Sequence, residues 1–83
     1  MKKGEKRFSL MGLKCSRYRN DEGRWVIAAS LSDLELFNKY LVNLLGDDVI
    51  GFSSTDTRVH AETRFTNIEH LRKKLRQPKS IES

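Results

Sequence analysis

The sequence predicts an α+β domain: two duplicated strand–strand–helix units that form a four-stranded, mainly antiparallel sheet with both helices on one face. Three observations predict it. Residues 24–31 (RWVIAASL) and 58–65 (RVHAETRF) alternate in the period-two pattern of strands. The stretches SDLELFNKYLVNLLG and TNIEHLRKKL each open on a capping box and continue with helical apolar spacing. Two glycine stretches, LMGLKCS at 10–16 and VIGFSST at 49–55, read alike.

Residues 1–7, MKKGEKR, are expected to form a basic arm, since no large apolar residue follows Met1. Residues 8–18 read as a first strand. RNDEGR supplies the turn chemistry of Asn20, Asp21 and Gly23. In the second strand Trp25, Ile27, Ala29 and Leu31 alternate onto one face. Ser32 and Glu35 then form a capping box, with Leu31 and Leu36 at the staple positions. Leu34, Phe37, Leu41, Leu44 and Leu45 make a wide apolar stripe, and Gly46 stands where a helix C-terminal glycine belongs. Residues 48–54 read as a third strand, TDT as a turn and 58–65 as a fourth strand. Thr66 and Glu69 repeat the capping box. The second helix runs to about Gln77, where Pro78 ends it, on a thin apolar face of Ile68, Leu71 and Leu75. Residues 8–77 are thus one domain, and 78–83 a flexible tail.

SDLELFNKYL aligns with TNIEHLRKKL at an offset of 34, and the glycine stretches align at an offset of 39. This pattern reads as an internal duplication with a longer first hairpin. It assigns faces. Met11, Leu13, Ile50 and Phe52 are expected to point toward the helices. Lys14, Ser16, Tyr18, Arg24, Val26, Ala28, Ser53, Thr55, Arg58, His60 and Arg64 are expected on the uncovered face. The expected core is Trp25, Ile27, Phe37, Leu41, Leu44, Phe52 and Leu71.

Composition narrows the function. The chain has 83 residues, 37% hydrophobic and 33% charged, which suits a small globular domain. No apolar run approaches the roughly 20 residues that span a bilayer, so no membrane partner is expected. The single cysteine, Cys15, favours a reducing, cytoplasmic setting. His60 and Glu62 make an H-x-E pair, but the Pro-Cys-x-x-Cys that completes a zinc deaminase site is absent. Asp47 and Asp48 read as turn residues after Gly46. No phosphate loop, nucleophile elbow or metal-ligand spacing occurs. The expectation is a non-catalytic protein without cofactor or metal.

The net charge of +5 points to a polyanion. Three basic clusters carry it: the arm; the first hairpin, with Lys14, Arg17, Arg19 and Arg24 around Tyr18; and the second helix with its tail, including Lys73 and Lys74. Arg58, His60 and Arg64 alternate along the fourth strand and are expected to form a row able to reach base edges. The expected partner is nucleic acid, DNA before RNA, in a regulatory or architectural role. The alternative is a small interaction module, of the kind phages use as inhibitors or adaptors, that binds a larger protein or a second copy of itself. The uncovered face discriminates. An apolar patch of Leu10, Val26, Ala28 and Val49 favours a protein partner, whereas dominance of Lys14, Arg58 and Arg64 favours nucleic acid.

The stretch RWVIAASLSDLELFNKYLVNLLG, followed by a strand pair and TNIEHLRKKL, resembles the part of LAGLIDADG homing endonucleases that follows their signature helix. That resemblance spans about residues 8–77 and implies a curved sheet lying in the DNA major groove. The signature helix and its catalytic acidic residue have no counterpart in MKKGEKRF, so the resemblance implies binding without cleavage. The hairpin GLKCSRYRNDEGRWVIA is also similar to the DNA-reading strands of AP2-type and integrase arm-binding domains, which again implies DNA.

Overall fold

The computed structural model of the chain describes residues 5–76. Its elements run β1 (Lys6–Leu10), β2 (Leu13–Arg19), β3 (Trp25–Ser30), α1 (Leu34–Leu44), β4 (Val49–Ser54), β5 (Arg58–Thr63) and α2 (Ile68–Leu75). The fold is α+β, but the sheet has five antiparallel strands, in the order β1-β2-β3-β5-β4. The single strand expected over 8–18 is a hairpin instead. Leu10 pairs with Leu13, and Met11 and Gly12 form a two-residue turn with φ of 52° and 90°. Two successive positive φ values mark the type I′ turn whose twist matches the flanking strands. The usual signal for it is Asn-Gly or Asp-Gly, and Met-Gly hides it inside an apolar run. Lys6 and Arg7, expected in the arm, begin β1. Residues 1–4 of the expected arm, and the tail over 78–83, lie outside the described residues, and Glu5 of the arm immediately precedes β1.

The register settles the faces. One row runs Lys6, Arg17, Ile27, Ala61, Phe52 across the sheet, and the next runs Phe8, Cys15, Ala29, Val59, Ser54. These rows face the helices: Cys15, Ile27, Ala29, Val59 and Ala61 are buried with Phe37, Leu41, Leu44 and Leu45 around α1 and with Leu71 of α2. The opposite face carries the rows Arg7, Ser16, Ala28, His60, Ser53 and Tyr18, Val26, Glu62, Gly51.

Two expected core residues are corrected. Phe52 lies in a helix-side row but remains 53% exposed, because β4 is the sheet edge and Phe52 has a strand neighbour on one side only. Trp25 is half-buried against the core. Met11, expected to face the helices, sits in the turn and is exposed, and Ile50 is exposed beside a register shift between Val49 and Gly51.

Both helix starts fall one residue later than the capping boxes imply. Leu31–Asp33 forms a 3-10 turn, so Ser32 lies inside it and its hydroxyl meets Ser30 Oγ at 3.0 Å. Asp33 holds the N-cap position of α1 without a side-chain hydrogen bond. At α2 the cap is Asn67, whose extended backbone lets Oδ1 accept from the Glu69 amide at 2.8 Å. Gly46 follows α1 at φ 54°, as expected of a glycine that ends a helix.

The offset of 34 recurs in part of the fold. Leu34 and Ile68 open the two helices, and Ile27 pairs with Ala61 at the centre of the β3–β5 ladder. The glycine stretches do not share this relation: Gly12 is in a hairpin turn and Gly51 is inside β4, opposite Glu62. The likeness of those two stretches is one of composition, and duplication is not shown. No described helix is long and apolar enough to cross a membrane.

Candidate nucleic-acid interface

The β1–β2 ribbon gathers cations on both faces. Lys6 stands directly opposite Arg17, Arg7 opposite Ser16, and Lys14 opposite Ser9. Arg17 lies on the helix-side row, where its guanidinium stacks over the Trp25 ring at 5.6 Å. Arg19 closes β2, opposite Trp25, and is exposed. None of Lys6, Arg7, Lys14, Arg17 and Arg19 forms an ion pair with a described residue. Like charges placed directly opposite across a ladder repel one another. The sequence reading placed Lys14, Arg17 and Arg19 at the interface but missed the pairing of Lys6 with Arg17, because it ran one strand through the turn.

The face without helices is differently built. Tyr18, Val26 and Ala28 form a small buried cluster there. Leu10 belongs to the helix-side core and Val49 packs against it, so the apolar patch considered for this face is not assembled. Polar side chains span the sheet above the small residues. Ser16 Oγ donates to Glu5 Oε2 at 2.7 Å, and Arg58 Nη2 reaches Glu5 Oε2 at 2.6 Å and Ser16 Oγ at 2.8 Å. The Tyr18 hydroxyl and His60 Nδ1 share a hydrogen bond of 3.0 Å, with the rings edge-on at 5.9 Å. Glu62 Oε2 accepts from Asn20 Nδ2 at 3.0 Å and Arg24 Nη1 at 3.2 Å. Asn20 also ties the β2–β3 loop, its Oδ1 accepting from the Glu22 and Arg24 amides.

The expected row of Arg58, His60 and Arg64 is not assembled. Arg58 and His60 do share the uncovered face. Arg64 lies past the end of β5, where its Nε donates to Asp48 Oδ1 at 2.8 Å. Lys74 of α2 reaches the other Asp48 oxygen at 3.6 Å. The buried carboxylate of Asp48 therefore draws Arg64 toward Lys74 and away from Arg58. Lys73 is exposed, and no described acid pairs with it. Local alternation could not foresee this, because β5 ends at Thr63 and Asp48 comes from another segment.

A groove of about 570 Å³ opens beside the ribbon, lined by Glu5, Arg7, Lys14, Ser16, Ala28 and Arg58 among others. Two titrating groups adjoin this region. Burial pushes the Cys15 thiol up from 9.0 to about 11, and the negative charge of Asp33 adds to the rise. Burial likewise raises the Tyr18 phenol; Glu5 and Glu62 add to the shift and Arg58 opposes it. Both groups are held in their neutral forms near pH 7, and Cys15 is a free thiol packed in the core.

No family model matches the chain, and no match to it was found among curated proteins or solved structures. Fold and surface together define a small α+β domain with a basic antiparallel ribbon along one edge of its sheet.

Proposed function

We propose that this chain is a small, non-catalytic, cytoplasmic DNA-binding protein whose main phosphate-contacting surface is the β1–β2 ribbon. One observation carries the reading: Lys6 and Arg17 face each other across the ladder, flanked by Arg7, Lys14 and Arg19, without a described acid to neutralise them. Such an arrangement costs stability in the free protein and is relieved by a polyanion. Exposed Lys73 on α2 adds to the positive surface. The uncovered face contributes less than its arginines suggest. Arg58 and Arg24 are engaged by Glu5 and Glu62, so reading base edges would require breaking those pairs. The role that fits is architectural, dominated by backbone contacts. In this reading the strand–strand–helix order from β2 onward is what the likeness to the homing-endonuclease sheet amounts to.

The test is binding of labelled duplex DNA, single-stranded DNA and RNA across a salt series. With about five duplex phosphates engaged, the log–log slope is expected near −4 to −5. Replacing Lys6 and Arg17 together with serine should weaken all sequences alike and flatten the slope by about 2. A salt-insensitive complex, or none at low salt, would overturn the reading.

A further inference from the structure

The groove beside the ribbon sets three cations around one acid. Arg7 stands on β1, Lys14 on β2 and Arg58 at the start of β5, and all three line it. Between them β3 contributes Ala28, whose methyl group leaves the centre open. Glu5 is the only acid among the described lining residues. Its Oε2 accepts from Ser16 Oγ at 2.7 Å and from Arg58 Nη2 at 2.6 Å. Ser16 Oγ itself accepts from Arg58 Nη2 at 2.8 Å, so hydroxyl and guanidinium act as one pair of donors on a single carboxylate oxygen. Ser16 is buried, while Arg7 and Lys14 are exposed and pair with no described acid. One carboxylate occupies little of a volume of about 570 Å³, which lies in the range of about 300–1,000 Å³ typical of small-molecule sites. Glu5 precedes β1, and the ladder begins at Lys6 opposite Arg17. The carboxylate can therefore leave the groove without breaking a strand pair.

We propose that this groove binds a phosphate monoester, and that the Glu5 carboxylate is an internal competitor held where one phosphate oxygen would sit. Charge and acceptor count select that group. With Glu5 displaced, the lining carries the three positive charges of Arg7, Lys14 and Arg58. A phosphate monoester brings about −1.5 to −2 charge at pH 7 and three acceptor oxygens. One oxygen takes over the bonds from Ser16 and Arg58, and two remain for Arg7 and Lys14. A carboxylate offers a single charge and two oxygens, as Glu5 does, and leaves two of the cations unanswered. A backbone phosphodiester also carries one charge and is esterified on both sides. The inference thus goes beyond the proposed backbone contacts and stands without them. Two sources supply the group: a free nucleoside monophosphate and the terminal phosphate of a nucleic-acid strand.

Two comparisons at fixed salt test it. Calorimetry sets adenosine 5′-monophosphate against adenosine. Anisotropy sets a short DNA strand with a 5′-phosphate against the same strand with a 5′-hydroxyl. In at least one comparison the phosphate is expected to tighten binding by about tenfold or more, as charge-assisted hydrogen bonds do. Arg58→Gln should remove most of that gain. Lys14→Gln, at an exposed position without a described ion pair, should reduce it about threefold and leave the circular dichroism spectrum unchanged. Glu5→Gln should tighten binding of the phosphorylated probe about fivefold, because the competing carboxylate is gone. A gain with the monophosphate makes the free ester sufficient, and a gain with the strand alone assigns its end. Equal binding of phosphorylated and unphosphorylated probes in both comparisons would overturn the proposal and leave backbone binding of DNA intact. Loss of all strand binding beside a retained monophosphate gain would sink the DNA reading alone. A gain that survives both Arg58→Gln and Lys14→Gln would overturn the proposal by placing the phosphate elsewhere. So would a Glu5→Gln chain that binds no tighter.

Discussion

Arg58 Nη2 lies 2.6 Å from Glu5 Oε2, so β5 is tied to the residue that precedes β1, with β2 and β3 between them in the sheet. Glu5 thereby neutralises the arginine that opens β5 on the uncovered face. Glu5→Gln should lower stability by about 1 kcal/mol, since the Glu5 side chain is only 15% exposed and its bonds to Arg58 and Ser16 weaken, while Arg58, 37% exposed, stays hydrated. It should also release one cation. Affinity for duplex DNA should rise and the salt slope should steepen by about 1. Anisotropy titrations of the two proteins at matched salt check this, and an unchanged slope would place Arg58 outside the interface.

The Met11–Gly12 turn is strained at its first position, where a non-glycine residue holds φ 52°. Met11→Asn should stabilise the chain by about 0.5–1 kcal/mol, since asparagine tolerates the left-handed region and methionine does not. Gly12→Ala should destabilise it by about 1–2 kcal/mol, from backbone strain alone. The space around Gly12 is open, so a steric clash would not contribute. Urea denaturation of the three proteins gives the comparison. Equal stabilities would mean that the turn is not formed as described.

The sequence pattern puts both Leu41 and Phe52 in the core, and the fold separates them. Leu41 is fully buried, and Leu41→Ala should cost about 2–5 kcal/mol. Phe52→Ala should cost less than about 1 kcal/mol, as expected of a side chain that is half in water. Denaturant midpoints measure both. A large loss at Phe52 would mean that it packs into the core after all.

Stability should fall in alkali. The Cys15 thiol titrates at 9.0 when unfolded and at about 11 when folded. A raised acid pKa means that the folded chain holds its proton longer. The contribution is complete below pH 9.0 and is lost as the pH climbs toward about 11. Tyr18, also raised, acts in the same direction above its ordinary value of 10.0. Cys15→Ala should therefore make the fall in melting temperature shallower from its onset, and Tyr18→Phe should affect only the later part. A wild-type curve that is flat across this range would refute the burial of both groups.

Much of the secondary structure is legible in local residue spacing. The period-two runs at 25–30 and 58–63 are β3 and β5, and the leucine stripe is α1, because each pattern repeats on a spacing that one kind of backbone satisfies. Net charge and the cations of the first hairpin were equally legible, since they require only counting. Three features were decided by tertiary structure. The β1–β2 hairpin formed where the chain read as one strand, because pairing of Phe8 with Cys15 and Leu10 with Leu13 buries apolar side chains and compensates an unfavourable turn residue. Phe52 became exposed because apolar character sets which way a side chain points, while burial also depends on having a neighbour at the sheet edge. Arg24 pairs locally with Glu22 as well as with Glu62, but Arg58 and Arg64 are neutralised by Glu5 and Asp48, which reach them from other segments of the chain. Ion pairing depends on distance in space, and no local pattern in the sequence encodes that distance.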